Sequence, residues 1–334
     1  MSEEWTTILI GNGLGMALDS NHFTIDRGLR SAWEQLSSEH QTRIKNLITD
    51  KSDLNTEEQL DKHYEVIQAC LMLSRIEQHS NLAWLHDDAK SFPDNFRTFV
   101  VNAALHFFEY EIKDYSKFNP FLEKLKNYIL NHATHLITLN YDKLIYDRFS
   151  VNQEIMFFDK GRLMDGFLVN SGGFTPSCLW DSSIGYYIHL HGSPLFYTDL
   201  QNGIINKSKF EEYNADISNL NYLQEHLILC ATKLKPQQIS NSPLLRLYWD
   251  FFQSTLRQSE KIILFGYSGN DIHVNDEIAN ARNKEIIIIE YSNQNMERAE
   301  RQKDWARKLN RPDNYFNSNN LIWLDSILDY EFNH

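Results

Sequence analysis

Cysteine is scarce in this sequence, and its spacing excludes two kinds of protein. The 334 residues include three cysteines, Cys70, Cys178 and Cys230, which lie far apart and form no Cys-x-x-Cys pair. A disulfide framework or a thiolate zinc site needs more cysteines or a closer spacing. The sequence therefore predicts neither, and a reducing cytoplasm is the compartment that fits it best.

Long apolar runs and a basic N-terminus are missing too. Residues 1–5 are acidic rather than basic, and a membrane helix needs about 20 consecutive apolar residues, which no run in this chain supplies. We therefore expect neither a secretion signal nor a membrane span.

Positive charge is in deficit. The chain has 32 Lys and Arg against 45 Asp and Glu, a formal net charge of −13. Such a charge repels phosphate backbones and anionic membranes. We expect no direct contact with nucleic acid or membrane, so that any contact with DNA comes through a partner. The contents of 42% hydrophobic and 23% charged residues are those of a folded globular protein.

Short apolar runs rich in β-branched residues predict buried strands. These runs cover residues 6–10, 135–140, 186–191, 227–231, 261–265, 285–290 and 321–324. Helical patterns at residues 242–257 and 295–309 lie between some of them. The alternation predicts an α/β fold with a Rossmann-like, doubly wound parallel sheet.

Residues from about 25 to 132 interrupt this alternation with helical patterns and no convincing strand. Three helices are predicted in this region. The first starts at Thr56, which has capping-box spacing, the second covers residues 94–112 and the third covers residues 120–131. Their aromatic stripes predict core packing, with a cofactor or partner groove as the alternative. We expect one domain over residues 1–334, with a core of about 1–24 and 133–330 and a helical insertion or cap of about 25–132.

Glycines follow the first predicted strand. Gly11, Asn12, Gly13 and Gly15 form a G-x-G-x-G turn, which lets a nucleotide pyrophosphate approach backbone N–H groups, although a plain structural turn looks the same. A dehydrogenase would need a second strand ending in an acidic residue about 20 residues on. Residues 30–47 have helical periodicity instead, which argues against hydride transfer.

Polar residues end two further predicted strands. Asn140 and Asp142 end one, and His189 and His191 the next, where alternation puts both histidines on one face. Ligands of open α/β sheets bind at such carboxyl ends, although Asx turns and helix caps use Asn and Asp as well. An imidazole is suited to accept a proton near neutral pH. No acidic or cysteine partner at ligand spacing supports a metal on the His-x-His pair.

Small and polar residues also follow the last strands. Gly266, Ser268 and Asp271 come after the strand at 261–265, and Glu290 ends the strand at 285–290. Glycines and hydroxyls allow a nucleotide to approach closely, and a carboxylate accepts hydrogen bonds from ribose hydroxyls. The alternative for Glu290 is a simple strand-end acid. Because all these clusters end parallel strands, we expect them to share one cleft.

In this order, the motifs resemble the sirtuin-like superfamily of NAD-binding proteins, in particular its bacterial antiphage NAD hydrolase branch. Residues 11–17 resemble the Gly-rich first loop, residues 138–142 the Thr-x-Asn-x-Asp segment, and His191-Gly192 the catalytic His-Gly pair. Residues 266–268 and Glu290 resemble the segments on the adenosine side. Gly15 stands where many members place Ser or another small residue. The four-cysteine zinc module of protein-deacylating sirtuins cannot be built here, which favours NAD hydrolysis over deacylation.

The resemblance implies NAD+ as substrate and no metal. The pyrophosphate would lie on Gly11, Asn12, Gly13 and Gly15, and the adenosine side on Gly266, Ser268, Asp271 and Glu290. His191 would be the base, Asn140 would orient a water or the ribose hydroxyls, and Asp142 would support the strand end.

The resemblance further implies a cytoplasmic antiphage effector that depletes NAD+ when activated in an oligomeric complex, with a HerA-type ATPase as a possible partner. We also expect the aromatic-rich helical region to contribute to self-assembly. Two alternatives stay open at this point: an NAD-dependent deacylase or ADP-ribosyltransferase, and a non-catalytic NAD or ADP-ribose sensor.

Overall fold

A seven-stranded parallel sheet forms the centre of this protein. The structure is a computed structural model and describes residues 4–46, 59–60, 63–66, 69–70, 87–156, 161–168, 173–180, 183–208, 222–223, 226–229, 235–292 and 296–332. Its strands are β1 (Thr6–Ile10), β2 (Thr134–Thr138), β3 (Leu163–Met164), β4 (Phe167–Leu168), β5 (Gly173–Phe174), β6 (Gly185–His189), β7 (Phe196–Asp199), β8 (Ile205–Lys207), β9 (Tyr222–Leu223), β10 (Lys261–Phe265), β11 (Glu285–Tyr291) and β12 (Leu321–Leu324).

The strand order in the large sheet is β12-β11-β10-β1-β2-β6-β3, and all neighbours are parallel. The remaining strands form two small antiparallel sheets, β4-β5 and β8-β7-β9. This architecture confirms the predicted doubly wound parallel sheet.

Helices surround the sheet. They are α1 (Gly13–Leu18), α2 (Ile25–Gln35), α3 (Ser38–Asn46), α4 (Asp87–Phe108), α5 (Tyr115–Asn131), α6 (Tyr146–Ser150), α7 (Gln153–Met156), α8 (Lys235–Asn241), α9 (Pro243–Gln258), α10 (Ile272–Asn280) and α11 (Arg298–Lys308), with short 3-10 turns at Pro176–Trp180 and Ile327–Asp329. None of the helices within these ranges has the length and apolarity needed to cross a bilayer.

The strand predictions are confirmed with small changes of boundary, except one. Strands β2 and β6 end two residues earlier than predicted, so that Asn140 and His191 lie in loops. The predicted strand at 227–231 is wrong for its described part: Leu227 makes one isolated antiparallel bridge to Gly192 and does not join the sheet. Residues 230 and 231 lie outside the described residues. An apolar run predicts burial, and it does not decide between a strand and a buried loop.

The described parts of the region from 25 to 132 are mainly helical and contain no strand. Helix α4 begins before the predicted residue 94 and ends before residue 112. Helix α5 begins at Tyr115 because Asp114 accepts a hydrogen bond from Ser116 N–H at 2.8 Å and caps it, so Pro120 lies inside the helix. Residue 56, the predicted start of another helix, lies outside the described residues. The apolar stripe of α4, including Phe96 and Phe107, is buried, which confirms core packing.

Helices cover both faces of the sheet. Phe121 of α5 stacks on Phe265 of β10, with ring centroids 5.1 Å apart, and Phe251 of α9 packs against Tyr186 of β6 at 5.0 Å. The register places Phe265 and Tyr186 on opposite faces. Strand β1 lies between β10 and β2. Strands β2, β6 and β3 lie on one side of β1, and β10, β11 and β12 lie on the other, so the strand order reverses beside β1. The loops after the central strands meet at the carboxyl edge of the sheet at this point.

Candidate functional site

The glycine-rich loop after β1 packs against the loop after β10, backbone to backbone. Gly11 N–H donates to Phe265 O at 2.9 Å, and Gly13 N–H donates to Gly266 O at 2.8 Å. A Cβ at Gly11 or Gly13 would lie 2.7 or 2.6 Å from backbone atoms of Gly266. The close approach of the two loops therefore requires glycine at both positions. This is what a purely structural turn would also require. Both N–H groups are occupied by protein carbonyls, and phosphate binding by this loop stays a prediction.

Asn12 and Gly15 hold the same loop against Phe23. The exposed Asn12 donates from Nδ2 to Phe23 O at 2.6 Å. Gly15 is buried, and a Cβ there would lie 2.4 Å from a carbon of the Phe23 ring. Helix α1 is only six residues long. These contacts explain why the positions are small or polar, and their part in cofactor binding stays a prediction.

Asn140 joins the carboxyl ends of β1 and β2. It is buried, and its Nδ2 donates to Gly11 O at 3.1 Å. It also bonds to the carboxyl group of Asp142, whose Oδ1 accepts from Leu144 N–H at 3.1 Å. Burial raises the pKa of Asp142 to about 7. The Asx turn that the sequence allowed is therefore present, and it fixes the Asn140 amide at the edge of the sheet.

The two histidines of β6 and its loop have different surroundings. His189 pairs in register with Thr138, is 2% exposed and packs edge-on against the rings of Tyr146 and Phe196. Neither ring nitrogen of His189 has a hydrogen-bond partner among the described residues, and burial lowers its pKa to about 3. In that part of the chain, no group of three or more His, Cys, Asp or Glu side chains is arranged to hold a metal ion.

His191 lies at the edge of the sheet and contacts two charged groups. Its Nε2 is 3.1 Å from Asp271 Oδ2 and 3.2 Å from Lys235 Nζ. Burial, reinforced by the Lys235 ammonium, lowers the pKa of His191, although Asp271 and a hydrogen bond to the Leu139 backbone oppose this. The net effect favours the neutral imidazole, and 12% of the His191 side chain is exposed.

Gly192 fixes the path of the chain immediately after His191. Its φ is +83°, and a Cβ would lie 1.8 Å from His226 O. His191 O accepts a hydrogen bond from Ile228 N–H at 3.0 Å on the same neighbouring segment. The His-Gly pair therefore needs glycine for both its backbone conformation and its closest contact.

The two carboxylate oxygens of Asp271 have different partners. Oδ1 accepts from His273 N–H at 3.1 Å and Val274 N–H at 3.3 Å, which caps α10. Oδ2 lies 2.5 Å from Lys235 Nζ and 3.1 Å from His191 Nε2. Although burial raises the pKa of Asp271, its hydrogen bond to His191 and the Lys235 charge hold it below the usual range. The structure places Asp271 in contact with His191, and its predicted part in cofactor binding stays a prediction.

Sequence reasoning missed Lys235. It is the first residue of α8 and its side chain is 5% exposed, although lysine is seldom buried without a partner. The one local signal is Pro236 directly after it, a residue typical of a first helical turn. That signal predicts a helix start and no contact with His191.

Glu290 and Ser268 are linked through Arg301. The Glu290 carboxylate accepts from Arg301 Nη2 at 2.8 Å, Trp323 Nε1 at 2.9 Å and Trp305 Nε1 at 3.3 Å, and it is 4% exposed. Arg301 Nη2 also donates to Ser268 O at 3.0 Å. Both Glu290 oxygens have hydrogen-bond partners within the protein. This is what the alternative, an acid with a structural role at the strand end, would require. A contact of Glu290 or Ser268 with ribose stays a prediction.

The predicted residues therefore form two connected groups. Gly11, Asn140 and Asp142 are joined by hydrogen bonds, and His191 with Asp271 is tied to the same edge through the Leu139 backbone. Gly266 joins them through its contact with Gly13. Glu290 lies with Arg301 two strands from β1.

A parallel sheet with His and Asn after the carboxyl ends of adjacent strands, beside a glycine-rich turn, is the arrangement of a Rossmann-like fold, in which ligands bind at this edge. The family model of the SIR2-like domain matches residues 134–307, more than half of the chain. The chain therefore belongs to the SIR2-like family, whose members are NAD-utilising enzymes. The matched segment includes Asn140, His191 and Asp271, and β1 with its glycines precedes it. A search among curated proteins finds no match.

Proposed function

We propose that this protein hydrolyses the N-glycosidic bond of NAD+ and releases nicotinamide and ADP-ribose. The observation that carries the proposal is the position of His191: it follows β6 at the carboxyl edge of the sheet, is nearly buried, lies 3.1 Å from Asp271 Oδ2 and bonds to the backbone of Leu139 beside Asn140. Burial lowers the pKa of His191, which favours its neutral form. A neutral imidazole accepts a proton at pH 7, which an imidazolium cannot do.

Each residue has a chemical task in this reaction. Cleavage of the bond builds positive charge on the ribose, so the site needs oriented oxygen atoms and a base for a hydroxyl or water proton. His191 is the base. The carbonyl oxygen of Asn140 orients the water or the ribose hydroxyls, since its Nδ2 is engaged with Gly11 O. Asp142 holds the Asn140 amide through their hydrogen bond.

The rest of NAD+ extends along the same edge of the sheet. We place the pyrophosphate at the loop of residues 11–15, where Asn12 is exposed, and the adenosine side near the exposed Ser268. This assignment follows from the shared edge, since ligands of doubly wound sheets bind at the switch point beside the first strand. In this arrangement Asp271 contacts His191 rather than the cofactor.

The cysteine content supports hydrolysis over deacylation. Deacylation by sirtuins uses a wall built on a four-cysteine zinc module, and this chain has three cysteines. Of these, Cys70 is buried and burial raises its pKa. The experiment below distinguishes hydrolysis from the two alternatives, a deacylase or ADP-ribosyltransferase and a non-catalytic sensor.

In the cell, we propose that the protein is an antiphage effector that depletes NAD+ within an oligomeric complex, with a HerA-type ATPase as a possible partner. A freely active enzyme of this kind would kill its host, so activity must wait for a trigger. Most of the described aromatic side chains of α4 and α5 are buried within the chain, and Tyr115 is half-buried. Exposed rings therefore do not support self-assembly through the helical region, and the oligomeric complex is what the family resemblance implies.

The test is incubation of the purified protein with NAD+, alone and with the product of the neighbouring gene, followed by product analysis. We expect free nicotinamide and free ADP-ribose. His191→Ala and Asn140→Ala should each lower nicotinamide release at least about 100-fold, because a general base and its oriented partner contribute on that order. Thermal unfolding checks that both variants fold.

Matched controls come from the opposite edge of the sheet. Asn131 and His132 are exposed just before β2 begins, and replacing either by Ala should leave turnover unchanged. Full activity of the His191 or Asn140 variant would overturn the assignment. Labelled protein or O-acyl-ADP-ribose as product would favour the transferase or deacylase, and binding without turnover in the activated complex would favour the sensor.

A further inference from the structure

A buried lysine in direct contact with a candidate general base calls for a physical explanation. Lys235 Nζ lies 2.5 Å from Asp271 Oδ2 and 3.2 Å from His191 Nε2, and the lysine side chain is only 5% exposed. Burying an ammonium carries a large desolvation cost unless a partner compensates it. Nothing in the hydrolysis of NAD+ as written above requires a cation at this position.

The carboxylate that pairs with Lys235 is held in place by a helix. Asp271 Oδ1 caps α10 through the N–H groups of His273 and Val274. Its other oxygen, Oδ2, is therefore directed at Lys235 and His191 together. The loop is further braced where Tyr267 O–H donates to the Asp271 carbonyl at 3.0 Å. One oxygen thus presents negative charge to His191 in a fixed geometry.

We propose that Lys235 is a positioning residue that, together with Asp271, sets the orientation and protonation state of His191; this proposal rests on the proposed function. We assign the neutral state to the tautomer in which Nε2 accepts from Lys235 Nζ, while the imidazole also bonds to the Leu139 backbone. In the protonated state the Nε2–H donates to Asp271 Oδ2, and Lys235 stays paired with the same carboxylate. The two partners therefore favour opposite charge states of one imidazole.

The groups that face His191 in the described part of the chain come from three elements. Lys235 at the start of α8 disfavours the imidazolium by like charge, and so does burial. Asp271 ahead of α10 and the backbone of Leu139 after β2 favour it. A charge within about 4–6 Å moves a pKa by about 1–3 in the corresponding direction. Removing either partner should therefore displace the titration of His191, in opposite directions for the two.

A purely structural ion pair makes a different prediction. If Lys235 and Asp271 only joined α8 to α10, losing either would lower stability and reduce activity at every pH. The midpoint of His191 titration would then stay in place. Opposite displacements of that midpoint are specific to the positioning role.

The experiment compares Lys235→Met, Asp271→Asn and the double variant. Asn retains an oxygen to cap α10, so Asp271→Asn removes the charge with little change to the helix start. The titration of His191 is followed by NMR of the imidazole C–H groups, assigned by difference with His191→Ala. In parallel, nicotinamide release is measured against pH in the active assembly.

We expect the His191 midpoint, and with it the acidic limb of the rate profile, to rise by about one pH unit or more in Lys235→Met and to fall in Asp271→Asn. The double variant should lie between the two. If the raised midpoint passes pH 7, turnover of Lys235→Met at pH 7 falls up to about tenfold for each unit beyond it. Lys261→Met is the matched control, because Lys261 pairs with Glu285 at 3.5 Å at the opposite end of β10.

The outcomes separate this inference from the proposed function. Unchanged midpoints in both single variants, or midpoints that move in the same direction, overturn it even if the wild type releases nicotinamide. Opposite movements support it even if the wild type releases none, a result that would refute hydrolysis alone. Should Lys235→Met fail to fold, Lys235→Gln keeps a hydrogen-bond donor without the charge and gives the same test.

Discussion

Gly192 offers a direct test of how the backbone holds His191. Replacing it by Ala puts a Cβ 1.8 Å from His226 O and forces a side chain onto a residue with φ of +83°. Neither problem has a local remedy, because the obstructing atom is a backbone carbonyl of a segment that also donates from Ile228 N–H to His191 O. We expect the two segments to separate and His191 to move with them.

Gly203 supplies a control for the backbone conformation alone. Its φ is +70°, it is exposed, and nothing in the described part of the chain lies within 4 Å of a Cβ placed there. Gly203→Ala should therefore cost only the left-handed conformation, about 1–2 kcal/mol. Gly192→Ala adds the steric overlap, for a total of about 2–5 kcal/mol.

The assay is denaturant and thermal unfolding of both variants, with nicotinamide release measured alongside. In a chain of 334 residues, about 1 kcal/mol corresponds to roughly 1.5 °C in Tm. We expect losses of about 2 °C for Gly203→Ala and about 3–7 °C for Gly192→Ala, with reduced turnover only in the second. Equal losses of stability, or full turnover in Gly192→Ala, would refute the argument that this contact positions His191.

Two further perturbations test the buried carboxylates. Burial raises the pKa of Asp142 from 3.8 to about 7, so its contribution to stability is present below about pH 4 and is lost as the pH rises through 7. Relative to Asp142→Asn, which does not titrate, the wild type should lose up to about 4 kcal/mol of unfolding free energy between pH 4 and 8. Arg301→Met should lower the unfolding free energy by about 3–5 kcal/mol, because it leaves the buried Glu290 without its cation.

These two predictions have their own controls. A constant difference between wild type and Asp142→Asn across the pH range would show that the carboxyl group does not titrate near neutrality. Arg307→Met removes a 70% exposed arginine from its pair with Asp304, and it should change stability by less than about 1 kcal/mol. An Arg301→Met variant as stable as Arg307→Met would contradict a structural role for the Glu290 pair.

Much of the fold was predictable from local sequence. Residues 6–10 and 261–265 are short, uniformly apolar and rich in β-branched side chains, which suits strands covered on both faces. Such a pattern depends on neighbouring residues alone, and the bounds of β1 and β10 agree with it. Residues 227–231 carry the same pattern, and the described Leu227 forms only a single bridge. Burial is encoded locally, whereas membership of the sheet depends on which edges remain free for pairing.

The site was predictable as a set of strand-end residues, and its connections were not. Asn140, His191 and Asp271 each follow a predicted strand, and parallel strands bring such residues to one edge. Glu290 has the same position in sequence as these residues, yet its carboxylate is bound by Arg301 and two tryptophans. A polar residue at a strand end looks the same in the sequence whether it faces a ligand or the protein, and the packing of α11 and β12 decides this for Glu290.

By itself, the sequence determined the class of fold, the carboxyl edge at which the chemistry is expected, and the histidine and asparagine that we assign to it. Tertiary structure alone decided the environment of that histidine. Lys235 reaches His191 from 44 residues away and Asp271 from 80. The protonation state of an imidazole depends on desolvation and on charges within a few ångströms, and these exist only once distant loops have come together.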